Sequence, residues 1–519
     1  MKLLRPVCSC TLLSLITAQG MAANLYVAPD GADTNAGTIN HPLATLMAAQ
    51  DLASAGDTVY LRGGTYQLQN SDIASTSNPR AYVHHINKDG IRYVAYPGEQ
   101  PILDFSEVKP AGYRVVAFYV TADDCVFEGF DVVGVQVTVT EDEASNTQSV
   151  CFRVNGGNGN RFERLAMHDG MGIGFYLAKG ADNLVLNCDA YNNCGLDAAS
   201  IGNVDGFGCH PNSTASTGNR FVGCRAWFNS DDGFDLISAN APVEIENCWA
   251  FYNGYDRDFN SMADGNGFKA GGYGRNGKTD FPTPVPRHAV RFCLAVGNKS
   301  SGFYANHHTG GIDWVSNTAI GNRYNFNLLS TLLDNATDVD GYDHYMRNNL
   351  GYDARDTEVA NLDEAQSDVA GNYFTLPVTV SATDFVSLDE SLLTLPRQAD
   401  GSLPNIAFAR LSAGSDLIDA GLDVGFPYHG NAPDLGAFET GSGPAAALKA
   451  YALGDGSVSL EWTAPAGWSY EVVGTANLAQ SPEHWTQLQS GIIGTDGTVE
   501  FSTASPVTNA AGYYRLLLH

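Results

Sequence analysis

The chain is 519 residues long, which is enough for two or three domains and a large core. Its 57 acidic and 28 basic side chains give a formal charge of -29, and so acidic a surface argues against a nucleic-acid partner. The 56 glycines and the low share of charged residues, 16%, favour a β-rich protein over a helical one.

The first 23 residues have the pattern of a secretory signal peptide. Lys2 and Arg5 precede a short apolar stretch, and small residues lead to a cleavage site expected near Ala23. The apolar stretch is too short to span a bilayer, and no later segment is long enough. We therefore expect a secreted protein, extracellular or periplasmic, that has no contact with a membrane.

Beyond the signal, one phrase recurs in which Cys or another small residue stands two positions before an alanine and Asn three positions after it. Its copies are NCDAYNN (187–193), GCRAWFN (223–229), NCWAFYN (247–253), FCLAVGN (292–298) and SNTAIGN (316–322). Counted from Ala166, in a weaker first copy, the alanines are spaced by 24, 36, 24, 45 and 24 residues. A 24-residue step of short alternating strands predicts a parallel β-helix with one coil per step.

A second repeat, Gly-Phe or its equivalent, follows each alanine. In stacked coils its aromatic residues would form an inward column of Phe175, Phe207, Phe234, Phe268, Phe303 and Phe326. The Asn that ends each phrase would form a hydrogen-bonded amide ladder at a turn, made of Asn193, Asn229, Asn253, Asn298 and Asn322.

The cysteines divide into two groups. Cys188, Cys224, Cys248 and Cys293 share one register, so we expect a column of buried thiols, with disulfides as the alternative. Cys194 and Cys209 fall outside that column and are the expected disulfide pair.

The same register brings acidic residues together. Asp205, Asp232 and Asn266 stand just before successive Gly-Phe pairs, and Gly208, Asp235 and Lys269 just after them. Neighbouring coils lie about 4.8 Å apart, so Asp205 should lie beside Asp232, with Asp231 and Asp235 flanking it and Lys269 beside Asp235.

Four converging carboxylates predict a calcium site. Ca²⁺ takes six to eight oxygen ligands in irregular geometry, whereas Mg²⁺ keeps more water and Zn²⁺ prefers His or Cys. The alternative is a polar Asp-Gly turn with solvated acids. Lys269 lies in GNGFKAGG, an open shelf where a chain-like ligand could lie. Next to a cation its pKa would fall and it could act as a base; otherwise it is a surface lysine paired with Asp235.

The motifs NVDGFGCH (203–210), NSDDGFDL (229–236) and GNGFKAGG (265–272) resemble those of the pectate lyases of polysaccharide lyase family nine. The resemblance extends through 24–66, 382–404 and 432–439, roughly residues 24 to 440. It implies a right-handed parallel β-helix that cleaves polygalacturonate by Ca²⁺-dependent β-elimination. The implied base is Lys269, and the implied calcium ligands are Asp205, Asp231, Asp232, Asp235 and the backbone carbonyl of Leu236.

Further candidate substrate contacts follow Lys269 in the sequence. The segment GFYANHHTGG (302–311) departs from the Asn-rich sequence expected in this family. His307 and His308 are therefore candidate substrate contacts, with exposed turn histidines as the alternative, and Arg275 is a third candidate.

Residues 441–519 are expected to form a linker and a small fibronectin-like β-sandwich, because apolar and polar residues alternate there between Gly, Pro and Asp turns. We expect a monomer. Two other functions remain open: a lyase for another uronate polymer, such as alginate or rhamnogalacturonan, and a non-catalytic β-helix that binds polysaccharide or adheres to surfaces.

Overall fold

The computed structural model describes residues 22–440 and, in the C-terminal part, 449–452, 458–464, 469–475, 485–493, 497–502 and 513–518. Residues 1–21 of the predicted signal peptide and residues 441–448 of the predicted linker lie outside the described residues. In the part of the chain that is described, no helix has both the length and the apolarity needed to cross a bilayer.

Three long sheets run side by side through the chain, and each central coil contributes one short strand to each sheet. Sheet 1 consists of twelve strands: Asn24–Val27, Thr58–Leu61, Arg92–Ala95, Val126–Glu128, Arg161–Glu163, Leu184–Leu186, Asn219–Val222, Val243–Glu246, His288–Arg291, Ile312–Val315, Tyr345–Arg347 and Asp368–Ala370. Sheet 2 consists of ten: Gly64–Gln69, Pro101–Glu107, Asp131–Val133, Ala166–His168, Asp189–Tyr191, Arg225–Trp227, Trp249–Phe251, Leu294–Val296, Thr318–Ile320 and Leu350–Tyr352.

Sheet 3 carries the candidate site. Its eleven strands are Ser75–Ser77, Arg80–Ile86, Arg114–Val120, Val150–Asn155, Ile173–Lys179, Phe207–Cys209, Phe234–Asp235, Phe268–Lys269, Ser301–Tyr304, Tyr324–Asn327 and Thr357–Ala360. Within the three sheets only the first pair of sheet 3 is antiparallel. The predicted parallel β-helix is confirmed.

The remaining elements are short. The helices are Leu46–Leu52 and Ala198–Ile201, and the 3-10 turns are Asn70–Asp72, Ala382–Asp384 and Glu390–Thr394. A small antiparallel pair joins Ser330–Thr331 to Asp338–Val339. Helix Leu46–Leu52 buries Leu46 and Ala49 in the core at the N-terminal end of the β-helix, and Thr45 caps it by accepting the Ala48 N–H.

The predicted phenylalanine column is confirmed in the core. Successive members from Phe175 to Phe326 are paired on neighbouring strands of sheet 3. From Phe207 onward the rings stack with centroids 4.9–5.1 Å apart. Full burial of one such side chain stabilises a fold by roughly 1.5–3 kcal/mol, so this column fixes the register of sheet 3.

The predicted amide ladder is also confirmed. The Asn253 side chain shows the pattern: its Nδ2 donates to Oδ1 of Asn298, and its Oδ1 accepts from Nδ2 of Asn229, both at 3.0 Å. Each of these amides also bonds a backbone carbonyl of a neighbouring coil, as Asn253 Nδ2 does to Ala226 O at 3.0 Å. The ladder runs from Asn193 to Asn322.

The cysteine column is confirmed as free, buried thiols, and it continues into a second amide ladder. The backbone N–H of Cys224 donates to Sγ of Cys248 at 3.3 Å, and that of Cys293 donates to Oδ1 of Asn317 at 3.0 Å. From there the amides of Asn317, Asn349 and Asn372 follow one another in the same way.

Two sequence expectations are corrected. Cys194 and Cys209 form no disulfide, because Cys209 points into the hydrophobic core while Cys194 lies outside it, half-exposed. Ala166 is not the first alanine of the column: it pairs with Asp189, and Met167 takes the position above Ala190, so that coil is one residue shorter than assumed.

The segment 382–404, which follows the last coil, packs on sheet 2 and not on sheet 3. Arg225 of sheet 2 donates to the carbonyls of Leu393 and Leu395 at 3.1 and 2.9 Å. Asp189 bonds both Arg225 and Arg397, at 2.9 and 2.6 Å, and so ties this segment to the β-helix.

The C-terminal residues form two three-stranded antiparallel sheets, as a small β-sandwich requires. One contains Lys449–Ala452, Val458–Ala464 and Gly497–Ser502, and the other Ser469–Thr475, Thr486–Ile493 and Tyr513–Leu518.

Candidate active site

The candidate site arises where three successive strands of sheet 3 place their phenylalanines inward. The residue after each phenylalanine then points away from the core. Gly208 pairs with Asp235, and Asp235 pairs with Lys269, as the repeat predicted. Pairing across parallel strands thus brings together residues that are far apart in sequence.

Three carboxylates form the centre of the site. One oxygen each from Asp205, Asp232 and Asp235 lies within 4.8 Å of the others, and all three side chains are buried. The backbone N–H of Asp232 donates to Oδ1 of Asp205 at 3.2 Å, which links adjacent coils.

Asn266 orients the central carboxylate, a role that the sequence register alone did not indicate. Its backbone N–H and its Nδ2 both donate to Oδ1 of Asp232, at 2.7 and 2.8 Å. The other oxygen, Oδ2, lies 3.0 Å from Nζ of Lys269 and has no further hydrogen-bond partner. Lys269 also donates to Oδ2 of Asp235 at 3.1 Å.

The other two predicted calcium ligands stand apart from this group. Asp231 is buried, but it is not part of the cluster of three, and its Oδ1 accepts the backbone N–H of Asp264 at 3.1 Å. The backbone carbonyl of Leu236 accepts the N–H of Ala239 at 3.2 Å and keeps one lone pair for another partner.

The electrostatics of the site are unfavourable without added positive charge. Burial, followed by the neighbouring carboxylates, raises the pKa of Asp205 and of Asp231 well above the ordinary range. Burial raises the pKa of Asp232 as well, although Lys269 opposes the shift. For Lys269 itself, burial acts to lower the pKa, but the charges of Asp232 and Asp235 outweigh burial and raise it well above its usual value.

The donor set fits a hard divalent cation. All available ligand atoms in the cluster are carboxylate oxygens, and one of them, Asp232 Oδ2, is buried with no partner but the amine. Carboxylates in this number and with this degree of burial are normally paired or bound to metal. Ca²⁺ suits them better than Zn²⁺, because neither His nor Cys belongs to the group.

Two of the three candidate substrate contacts, His307 and Arg275, lie one coil beyond Lys269. Lys269 pairs with Tyr304, the ring of which is 6.0 Å from that of His307. His307 Nδ1 and Arg275 Nε both contact Oδ1 of Asp338, at 2.9 and 2.7 Å. Asp338 thus holds both side chains one coil beyond the lysine, and burial lowers the pKa of His307 although Asp338 opposes the shift.

His308 has a different position from the one expected of a substrate contact. It is 1% exposed, its Nε2 bonds the carbonyl of Pro286 at 2.8 Å, and its Nδ1 accepts the N–H of Gly272 at 3.1 Å. Burial lowers its pKa to about 4, so the ring is neutral. Both nitrogens are used inside the protein, and His308 supports the glycine shelf after Lys269.

Fold and site together define a parallel β-helix protein with a buried cluster of three aspartates and a lysine at its edge. The family model described as Pel9A-like, right handed beta helix region, matches residues 25–349. The chain is 37% identical to a pectate lyase L of Dickeya dadantii (strain 3937), over 83% of this chain and 93% of that protein.

Two solved structures are similar over most of their length. One is titled rhamnogalacturonan lyase, with a TM-score of 0.72 and 44% identity over 76% of this chain and 97% of that one. The other is pectate lyase Pel9A, with a TM-score of 0.64 and 35% identity over 80% and 96%. The chain therefore belongs to the Pel9A-like right-handed β-helix family, the family of pectate lyases that its site motifs resemble.

Proposed function

We propose that this protein is a secreted pectate lyase that cleaves polygalacturonate by Ca²⁺-dependent β-elimination, with Lys269 as the base. The observation that carries the proposal is the contact of the Lys269 amine with two carboxylates of a buried acidic cluster, at 3.0 and 3.1 Å. Pectate lyase relatives of 37% identity support the substrate.

The acidic cluster has the role of holding the ion. Asp205, Asp232 and Asp235 would bind Ca²⁺ directly. Asp231 and the carbonyl of Leu236 are the further proposed ligands, and each can keep its present hydrogen bond because an oxygen lone pair remains for the ion. Bound Ca²⁺ supplies positive charge that offsets these carboxylates and attracts the carboxylate of a uronate.

Lys269 has the role of moving the proton. Its amine takes the proton from C5 of the uronate, which is α to the carboxylate, and the electrons of that bond form the C4–C5 double bond. The C4–O bond breaks, and the leaving glycosidic oxygen takes its electron pair and a proton from solvent. No water is added, so the pair of carboxylic acids that a glycoside hydrolase needs is not required. A base must be neutral, and the carboxylates alone favour the protonated amine, so activity should rise toward alkaline pH.

Arg275 and His307 are the proposed contacts to the sugar chain beyond the base. Both are held by Asp338, and the Arg275 side chain is 51% exposed, so its free guanidinium nitrogens can bind a second uronate carboxylate. His308 is left out of this set because both of its ring nitrogens are engaged.

One alternative substrate has specific support. The structure titled rhamnogalacturonan lyase is 44% identical to this chain, against 37% for the pectate lyase of Dickeya dadantii. The same cluster and lysine would serve that reaction, and the groove residues would decide between the polymers. The relatives are named as enzymes, which favours a lyase over a non-catalytic binding protein. The expected monomeric state remains a prediction.

The test is to supply the purified protein with polygalacturonate, rhamnogalacturonan and alginate, each with Ca²⁺ or with a chelator. We expect unsaturated products, detected by ultraviolet absorbance, from polygalacturonate with Ca²⁺ and none with the chelator. Cleavage of rhamnogalacturonan alone would show that the proposed substrate is wrong and would leave the proposed reaction in place. Full activity in chelator would overturn the proposed role of Ca²⁺.

A further inference from the structure

The outward row of sheet 3 continues from the active site toward the N-terminal coils. The successive partners in this row are Lys269, Asp235, Gly208, Tyr176, Arg153 and Tyr119. Four strand spacings separate the backbones of Lys269 and Arg153, or about 19 Å. The row therefore extends well beyond one sugar residue.

Arg153 is an unusual cation in so acidic a chain. Among the described residues, neither Arg153 nor its neighbour Arg80 has a carboxylate within 4.0 Å, and the Arg114 guanidinium bonds only Gln148. Burial and then the charge of Arg80 lower the pKa of Arg153, so these cations repel one another. Burial of several arginine side chains without carboxylate partners is energetically costly unless an anion binds between them.

One aromatic ring lies against this guanidinium, and a second aromatic residue, Tyr119, pairs with Arg153 on the neighbouring strand. Its central carbon lies 4.9 Å from the centre of the Tyr176 ring. The Tyr119 ring stacks on Tyr82 with centroids 4.0 Å apart, and its hydroxyl accepts a hydrogen bond from Asn155 at 2.8 Å. A flat ring beside a fixed guanidinium is suited to a sugar face and its carboxylate.

Tyr176 connects this cluster to the active site. Burial raises the pKa of Tyr176, and both Arg153 and Asp235 act on its hydroxyl. The row is therefore continuous between the two groups of charges, and at Gly208 the side chains of Tyr176 and His210 fill the position that a side chain would take.

We propose that Arg153, with Tyr119 and Tyr176 beside it and Arg80 nearby, forms a distal subsite that binds a uronate carboxylate several sugars from the bond that is cleaved. This inference rests on the proposed function, because it assumes an acidic polysaccharide along the outward row of sheet 3. It adds a specificity element: the subsite favours long acidic chains over short ones.

The experiment compares wild type with Arg153→Gln on polygalacturonate and on trigalacturonate, which is too short to reach from Lys269 to Arg153. We expect the KM for the polymer to rise about tenfold, as for the loss of a charge-assisted hydrogen bond, with kcat changed less than about twofold. The kinetics on the trimer should not change. Arg153→Lys should recover part of the loss, and Arg92→Gln, on sheet 1, is the matched control.

Polymer binding is also measured in Lys269→Ala, with and without Arg153→Gln. This variant lacks the proposed base, so binding tests the subsite independently of catalysis. If Arg153→Gln leaves polymer binding and KM unchanged, or weakens trimer kinetics equally, the subsite is overturned. If polygalacturonate binds but wild type does not cleave it, the proposed function fails while the subsite stands on its binding result; if it does not bind, both fail. Should Arg153→Gln not fold, Arg80→Gln carries the same prediction with a smaller rise in KM.

Discussion

The amine of Lys269 lies 3.1 Å from Oδ2 of Asp235, and the two residues are paired on adjacent strands although they are 34 positions apart in the chain. This pairing is a consequence of stacked coils. It places a titratable amine at the edge of three buried carboxylates and gives the site both of its proposed parts.

Removal of one carboxylate should weaken calcium binding measurably. Saturating Ca²⁺ should raise the Tm of wild type by a few degrees, because a ligand at about 100 times its Kd stabilises the folded state by about 2.7 kcal/mol. In Asp205→Asn this rise should largely disappear, because the substitution removes one of the three clustered carboxylates.

Scanning calorimetry with and without Ca²⁺ measures this effect. Asp51→Asn, an exposed acid on helix Leu46–Leu52, serves as the control and should keep the full rise. An equal Ca²⁺ response in Asp205→Asn and wild type would place the ion elsewhere.

The metal-free protein should lose stability as pH rises from mildly acidic values. The pKa values of Asp205 and Asp231 are raised above the ordinary 3.8, so in this window the folded state binds more protons than the unfolded state, and stability falls with rising pH. The raised pKa of Lys269 has the same sign but acts only above 10.5.

Urea unfolding in chelator across this pH range tests the prediction, with Asp205→Asn as the comparison. The variant should show a shallower fall in the free energy of unfolding, because it lacks one of the titrating groups. A wild-type free energy of unfolding that rises with pH, while that of Asp205→Asn stays unchanged, would contradict the raised pKa values.

The buried amide ladder should be essential to stability. Asn253→Ala removes the side-chain bonds to Asn298, Asn229 and Ala226, and it takes from the buried backbone N–H of Asn229 the amide oxygen to which it donates. We expect a loss of about 2–4 kcal/mol in the free energy of unfolding, since each orphaned buried group costs about 1–3 kcal/mol. The exposed Asn40→Ala should change it by less than about 0.5 kcal/mol. Chemical denaturation measures both, and similar losses would show that the ladder contributes little.

The thiols should be independent of redox conditions. All eight cysteines of the described chain are free, so a reducing agent should leave the Tm unchanged, and alkylation after unfolding without reductant should label all eight. A mass that shows two unlabelled cysteines would restore the Cys194–Cys209 disulfide that the structure excludes.

The repeat made much of the architecture predictable from sequence. Equal registers in parallel coils must stack, so Phe234 on Phe268 and Asn229 on Asn253 followed from spacing alone. The same reasoning erred at Ala166, because the chain there lacks the phrase and the coil is one residue shorter.

Other features depend on loops and coils that carry no repeat. Asp231 turns toward the backbone of Asp264 because the insertion after Asn253, residues 254–266, folds back over it. The spacing of the repeats does not predict the path of this insertion. His308 is buried because the chain turns at His307, where φ is +59°, and brings the ring under Gly272. Arg153 lies in a coil before the first clear repeat, so no register pointed to it.

The central claim is that Lys269 is the base of a calcium-dependent lyase, and the initial rate of Lys269→Ala on polygalacturonate with saturating Ca²⁺ at alkaline pH tests it most directly. We predict a loss of at least about 100-fold in kcat, as expected for removal of a general base, with the Ca²⁺-induced rise in Tm retained. A variant that forms unsaturated products at close to the wild-type rate would contradict the claim.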